Sequence, residues 1–98
     1  MRPLIASHMH MTPDALLFLT QHLLSALQSP PAEARRLFHG RGKCWKDLEQ
    51  ISVDWLENLL LVTLFRQPAE NSLAALIELL RSLGYPVLLQ HRYQPDCP

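Results

Sequence analysis

Leu16, Leu19, Leu23 and Leu27 recur at steps of three and four residues, and Leu17 and Leu24 broaden the same apolar stripe. That period predicts an amphipathic helix. Its start is marked by Thr12, which caps free N–H groups, by Pro13, which needs no partner in the first turn, and by Asp14, which suits the positive dipole end. The helix should run from Pro13 to about Gln28, where Ser29, Pro30 and Pro31 end the pattern. Residues Ala34 to Phe38 read as a short strand, followed by a loop at His39-Gly40-Arg41-Gly42-Lys43. From Ile51 the pattern alternates. Ile51, Val53 and Trp55 fall on one face and Ser52 and Asp54 on the other, the mark of a half-buried strand. Glu57 and Asn58 turn the chain into Leu59 to Phe65, which is apolar on both alternating sets and predicts a central strand covered on both faces. Gln67-Pro68-Ala69-Glu70 reads as a capping box opening a second helix, with Leu73, Leu76, Ile77, Leu80 and Leu83 as its stripe and Gly84 as its left-handed end. Val87 to Arg92 is the last strand.

The order helix, strand, strand, strand, helix, strand predicts an α+β fold. It comprises a small mixed or antiparallel sheet with a β-hairpin followed by a β-α-β unit, preceded by an N-terminal amphipathic helix. A right-handed crossover would return the last strand parallel to the central one. One α+β domain is expected over 12–93. Residues 1–11 read as a disordered or tag-like N-terminus, with Ser7, His8 and Met9 either native or vector-derived, and 94–98 as a linker at an interdomain cut.

Composition narrows the function. A chain of 98 residues buries roughly 60 to 65% of its unfolded surface, enough for a layer of helix on sheet but not for a roomy catalytic cleft as well. Nine Lys and Arg balance nine Asp and Glu, so any nucleic-acid contact must be local. Twenty-one leucines against three glycines leave no material for a glycine-rich loop that cradles phosphates. Cys44 and Cys97 match no zinc or redox spacing and suit free thiols in a reducing cytoplasm. No apolar run approaches the roughly 20 residues that span a bilayer, and Asp14, Gln21 and His22 interrupt any signal-peptide core, so a cytoplasmic protein without a membrane partner is expected.

Each candidate site has a plainer explanation beside it. His8 and His10 have a metal-binding spacing but no third ligand nearby, and surface histidines account for them. His22 sits among leucines as a core-edge histidine. His39 and Cys44 flank the glycine loop, yet no orienting third group makes them a base and a nucleophile. Asp54 has no paired acid and reads as a turn-closing carboxylate. The strongest candidate is Arg35, Arg36, Arg41, Lys43 and Lys46, interleaved with Phe38, His39 and Trp45. Aromatic groups among cations can stack bases while Lys and Arg meet phosphates. The competing explanation is a solvated loop whose Trp45 anchors in the core. Beside that explanation, which zero net charge favours at least equally, Arg35, Arg36, Arg41, Lys43, Trp45 and Lys46 stand as the candidate RNA contacts, with no catalytic, cofactor-binding or metal residue assigned.

The run Arg36-Leu37-Phe38-His39-Gly40, then Leu48, Ile51-Ser52-Val53-Asp54, Leu59-Leu60-Leu61-Val62, the helix to Gly84 and Val87 to Tyr93 resembles a known segment. It is similar to the domain preceding the catalytic domain in class I S-adenosylmethionine-dependent methyltransferases of the large-subunit rRNA cytosine-C5 type. That family commonly has a proline-glycine step before the first hairpin strand and an arginine after the aspartate. Here Asp47 to Gln50 lacks the step and Trp55 follows Asp54. The resemblance implies an accessory domain, itself inactive, that assists substrate binding or packs on a catalytic domain of the same chain. S-adenosylmethionine would be bound by that other domain, and RNA is the implied substrate. The alternative is a stand-alone interaction module, such as a homodimer, pairing through its leucine-rich faces.

Overall fold

The computed structural model describes residues 10–40, 48 and 50–93. Helix α1 (Pro13–Leu27) is followed by strands β1 (Arg35–His39), β2 (Ile51–Leu56) and β3 (Leu59–Leu64), helix α2 (Glu70–Arg81) and strand β4 (Val87–His91). The four strands form one sheet in the order β1-β2-β3-β4. The first two pairings are antiparallel and β3 pairs with β4 in parallel. This is the expected α+β fold, with β3 between β2 and β4.

The helix starts differ in how they are made. Thr12 caps α1, its side chain accepting from Ala15 N at 3.2 Å. The capping box expected for α2 is absent: the cap is Ala69, which has no side-chain hydrogen bond. Glu70 is thus the first helical residue and cannot reach back as a box glutamate, which requires the third position. At the other end Gly84 has φ +89, the left-handed conformation expected of it. Glu57 and Asn58 also have positive φ, at 46 and 69. That geometry matches the twist of a tight hairpin and explains why two residues suffice to join β2 to β3.

Ile51, Val53, Trp55, Leu60, Val62 and Leu64 share one sheet face with Phe38, and all are buried. Both helices cover that face. Leu19, Leu23, Leu76 and Leu80 are fully buried in the same core, each contributing about 1.5–3 kcal/mol. Met11 N donates to Ser72 Oγ at 2.9 Å, tying the start of α1 to the first turns of α2. Trp55 Nε1 donates to Pro31 O at 2.8 Å, and its ring meets Tyr85 edge-on with centroids 5.0 Å apart, so the largest core side chain keeps its donor satisfied.

Two expectations change. Leu17 and Leu24 do not broaden the buried stripe but are 56% and 50% exposed, because Ala15, Leu19, Leu23 and Leu27 turn inward and leave those two on the far side of the helix. Nor is β3 buried on both faces by helices. The crossover lays α2 on one side and α1 joins it there, so Leu59 and Leu61 are only half-buried on the other face and Leu88 beside them is exposed.

Gly40 ends β1 where a side chain has no room. A Cβ there would overlap the Leu48 carbonyl and lie 2.8 Å from Ile51 O. Backbone on both sides cannot yield cheaply, so Gly40→Ala should lower stability by about 1–3 kcal/mol in a denaturant melt.

Candidate nucleic-acid interface

Because β1, β3 and β4 run in one direction, their C-terminal ends lie on one edge of the sheet. Gly40, which begins the connection to β2, lies on that edge with Phe65 and Arg92. Two bonds stitch it together: Phe65 N donates to Gln50 O at 2.8 Å and Arg92 N to Leu64 O at 2.8 Å. The start of α2 and, through Met11 and Ser72, the start of α1 lie there too.

Of the residues expected to contact RNA, Arg41, Lys43, Trp45 and Lys46 lie outside the described residues, as do His8, Cys44 and Cys97. Arg35 and Arg36 are both exposed. Arg35 stands opposite Trp55 and Arg36 opposite Asp54, so the two project from opposite faces of β1. The register then shifts between Arg36 and Phe38, which returns Phe38 to the core face opposite Val53.

Arg36 is engaged on the face away from the helices. Its Nε donates to Asp54 Oδ1 at 2.7 Å and its Nη2 to Oδ2 at 3.2 Å, a two-pronged ion pair, while Nη1 lies 3.1 Å from His39 Nδ1. Asp54 therefore closes no turn; it holds a cross-strand arginine. The hydrogen bond to Asp54 raises the Arg36 pKa above its ordinary value, burial opposes this, and the carboxylate charge adds to the rise. A raised folded-state pKa stabilises fully below the unfolded value, itself far above physiological pH, and is lost only at still higher pH, so Arg36 itself contributes no pH dependence under ordinary conditions. Next to this pair His39, Ser52, Thr63 and Gln90 form a polar row across all four strands. Thr63 Oγ1 donates to Gln90 Oε1 at 3.3 Å, and the buried Ser52 Oγ has no hydrogen-bond partner among the described residues.

His22 is accounted for as a core-edge side chain. Its Nε2 lies 3.0 Å from Leu37 O, and its ring packs against Phe18 and Phe38. His10 is exposed, and among the described residues no three His, Cys, Asp or Glu side chains cluster as metal ligands. Among them, too, no helix is long and apolar enough to cross a membrane.

The sheet edge also holds residues that the sequence alone did not single out. Gln67, Pro68, Glu70, Leu73 and Tyr93 line an open cleft of ≈ 340 Å³. The Tyr93 hydroxyl and His91 Nδ1 share a hydrogen bond of 2.7 Å, and burial pushes the phenol pKa up, so it stays neutral at physiological pH. Arg66 and Arg92, both exposed, precede Gln67 and Tyr93. These residues fall in two runs, 66–73 after β3 and 91–93 at the end of β4, and the parallel crossover brings the runs together. The signal was available in the expected β-α-β unit, since the residues following two parallel strands must be neighbours.

A family model described as S-adenosylmethionine-dependent methyltransferase matches residues 35–98, from the first residue of β1 onward. The match spans well over half of the chain, and the chain belongs to that family. Comparison with curated proteins and with solved structures finds no match.

The described residues do not fit the methyl donor in the manner of a nucleotide-binding β-α-β unit. The turn from β3 to α2 contains no glycine, buries Pro68, which has no N–H to offer, and places the Glu70 carboxylate in the first helical turn. No step of methyl transfer is assigned to these residues.

The Arg36–Asp54 pair is two-pronged but partly solvated, with side chains 47% and 17% exposed. A double-mutant cycle with Arg36→Ala and Asp54→Ala should give a coupling of about 0.5–1 kcal/mol that shrinks as salt is added.

Proposed function

We propose that the chain is a non-catalytic accessory domain of an S-adenosylmethionine-dependent methyltransferase acting on RNA, of the large-subunit rRNA cytosine-C5 type that the sequence resembles. It assists substrate binding or packs on a catalytic domain of the same protein, which binds S-adenosylmethionine and transfers the methyl group. The cytoplasm is the proposed location. The observation carrying the reading is the β3–α2 turn: the family match runs through it, yet Pro68 and Ala69 stand where a cofactor-binding unit would present glycine N–H groups.

Arg35, Arg36, Arg41, Lys43, Trp45 and Lys46 are proposed to face the RNA. Arg41, Lys43, Trp45 and Lys46 belong to the stretch between Gly40 and Leu48, two residues that are themselves buried. The Asp54 pair would hold Arg36 in a fixed orientation beside His39.

Calorimetric titration of the chain with S-adenosylmethionine is expected to give no binding heat. Tight, one-to-one binding would overturn the division of labour.

A second reading, a self-associating interaction module, is favoured by Leu17 and Leu24, two exposed leucines seven residues apart on α1. Two side chains are far less than the roughly 800 Å² per partner of a stable interface. Sedimentation should therefore give a monomer; a dimer broken by Leu17→Glu with Leu24→Glu would establish the second reading instead.

A further inference from the structure

We propose that the cleft at the C-terminal ends of β3 and β4 receives one unpaired, amino-bearing base of single-stranded RNA. Tyr93 would be its stacking wall, Glu70 the acceptor for the base amine, and Arg66 and Arg92 the contacts to flanking phosphates. The inference rests on RNA being the substrate class and adds a binding position distinct from the stretch between Gly40 and Leu48.

Position is the first argument. In open α/β sheets ligands settle outside the C-terminal ends of parallel strands, and β3–β4 is the parallel pair of this sheet. The second argument is shape and chemistry. The cleft of ≈ 340 Å³ is open, as an entering base on a continuous strand requires, and Pro68 and Leu73 supply apolar surface beside the Tyr93 ring. Base stacking on an aromatic ring is strong and tolerant of sequence.

Preorganisation is the third argument. The Tyr93 hydroxyl is tied to His91 Nδ1 at 2.7 Å and the two rings meet edge-on at 5.5 Å, so the ring is held before any ligand arrives. The neutral phenol adds no repulsion toward phosphate.

The fourth argument concerns which base. Glu70 lines the cleft and can only accept hydrogen bonds when ionised, and Gln67 can both donate and accept. A carboxylate accepts from an exocyclic amine, which cytosine, adenine and guanine carry and uracil lacks. A bound phosphate would be repelled by Glu70, so the base and not the phosphate belongs inside the cleft. The exposed Arg66 and Arg92 lie just before Gln67 and Tyr93, where the strand backbone would pass.

The test is fluorescence anisotropy of the full chain with short labelled oligo(A), oligo(C) and oligo(U) at low salt. Oligo(A) and oligo(C) should bind roughly tenfold more tightly than oligo(U), and Glu70→Ala should bring the three to one affinity. Tyr93→Leu should weaken all three by roughly tenfold. Arg92→Ala, at an exposed position that leaves the core untouched, should weaken all three alike and flatten the salt dependence. RNA bound equally by the wild type and all three variants would overturn this cleft while leaving RNA as the substrate. No binding of any oligomer by the wild type would overturn both.

Discussion

The parallel pairing of β3 with β4 is the constraint on which the rest of the structure depends. Parallel neighbours need a crossover, and α2 supplies it, burying Leu76 and Leu80 in the same core as Val62 and Leu64. The crossover fixes which face becomes the core, and α1 follows α2 onto that face through the Met11–Ser72 bond and the packing of His22 on Phe38. It also fixes which residues meet at the far edge, since the residues after β3 and after β4 become neighbours only when the two strands point the same way. Core and candidate site thus follow from one topological choice.

Much of this was legible in the sequence where a local rule acts alone. The Thr12-Pro13-Asp14 start, the two-residue turn at Glu57-Asn58, the alternation from Ile51 to Trp55 and the left-handed Gly84 each depend on a few neighbouring residues, and each element appears where its pattern places it. The pattern was ambiguous where tertiary packing decides. Leucines at 17 and 24 look the same as those at 19 and 23 until α2 and the sheet determine which side of α1 is inward. The apolar run of β3 reports burial but not what covers it, so the half-buried Leu59 and Leu61 could not be told from Leu60 and Val62. In the sequence Asp54 reads as a turn carboxylate because its partner, Arg36, is eighteen positions away and meets it only across the β1–β2 ladder.

Function divides along the same line. The family is carried by the segment from β1 onward, and its sheet was readable from residue order. The chemistry at the sheet edge was not, because Arg66, Gln67, Glu70, Arg92 and Tyr93 form no motif in the chain and assemble only through the crossover. The proposed accessory role joins two observations: a β3–α2 turn that lacks the glycines for a methyl donor, and an edge whose arginines, tyrosine and open cleft are proposed to meet a nucleic-acid strand.

Amide hydrogen exchange, read residue by residue, tests the topology most directly. Leu60 N bonds to Pro86 O at 2.9 Å and Arg92 N to Leu64 O at 2.8 Å, so these two amides lie at opposite ends of the parallel ladder. Both should exchange slowly, together with the amides shared by β2 and β3. If they exchange as freely as those of the exposed 32–34 segment while the β2–β3 hairpin stays protected, β4 is not paired with β3 and the account of both core and site fails.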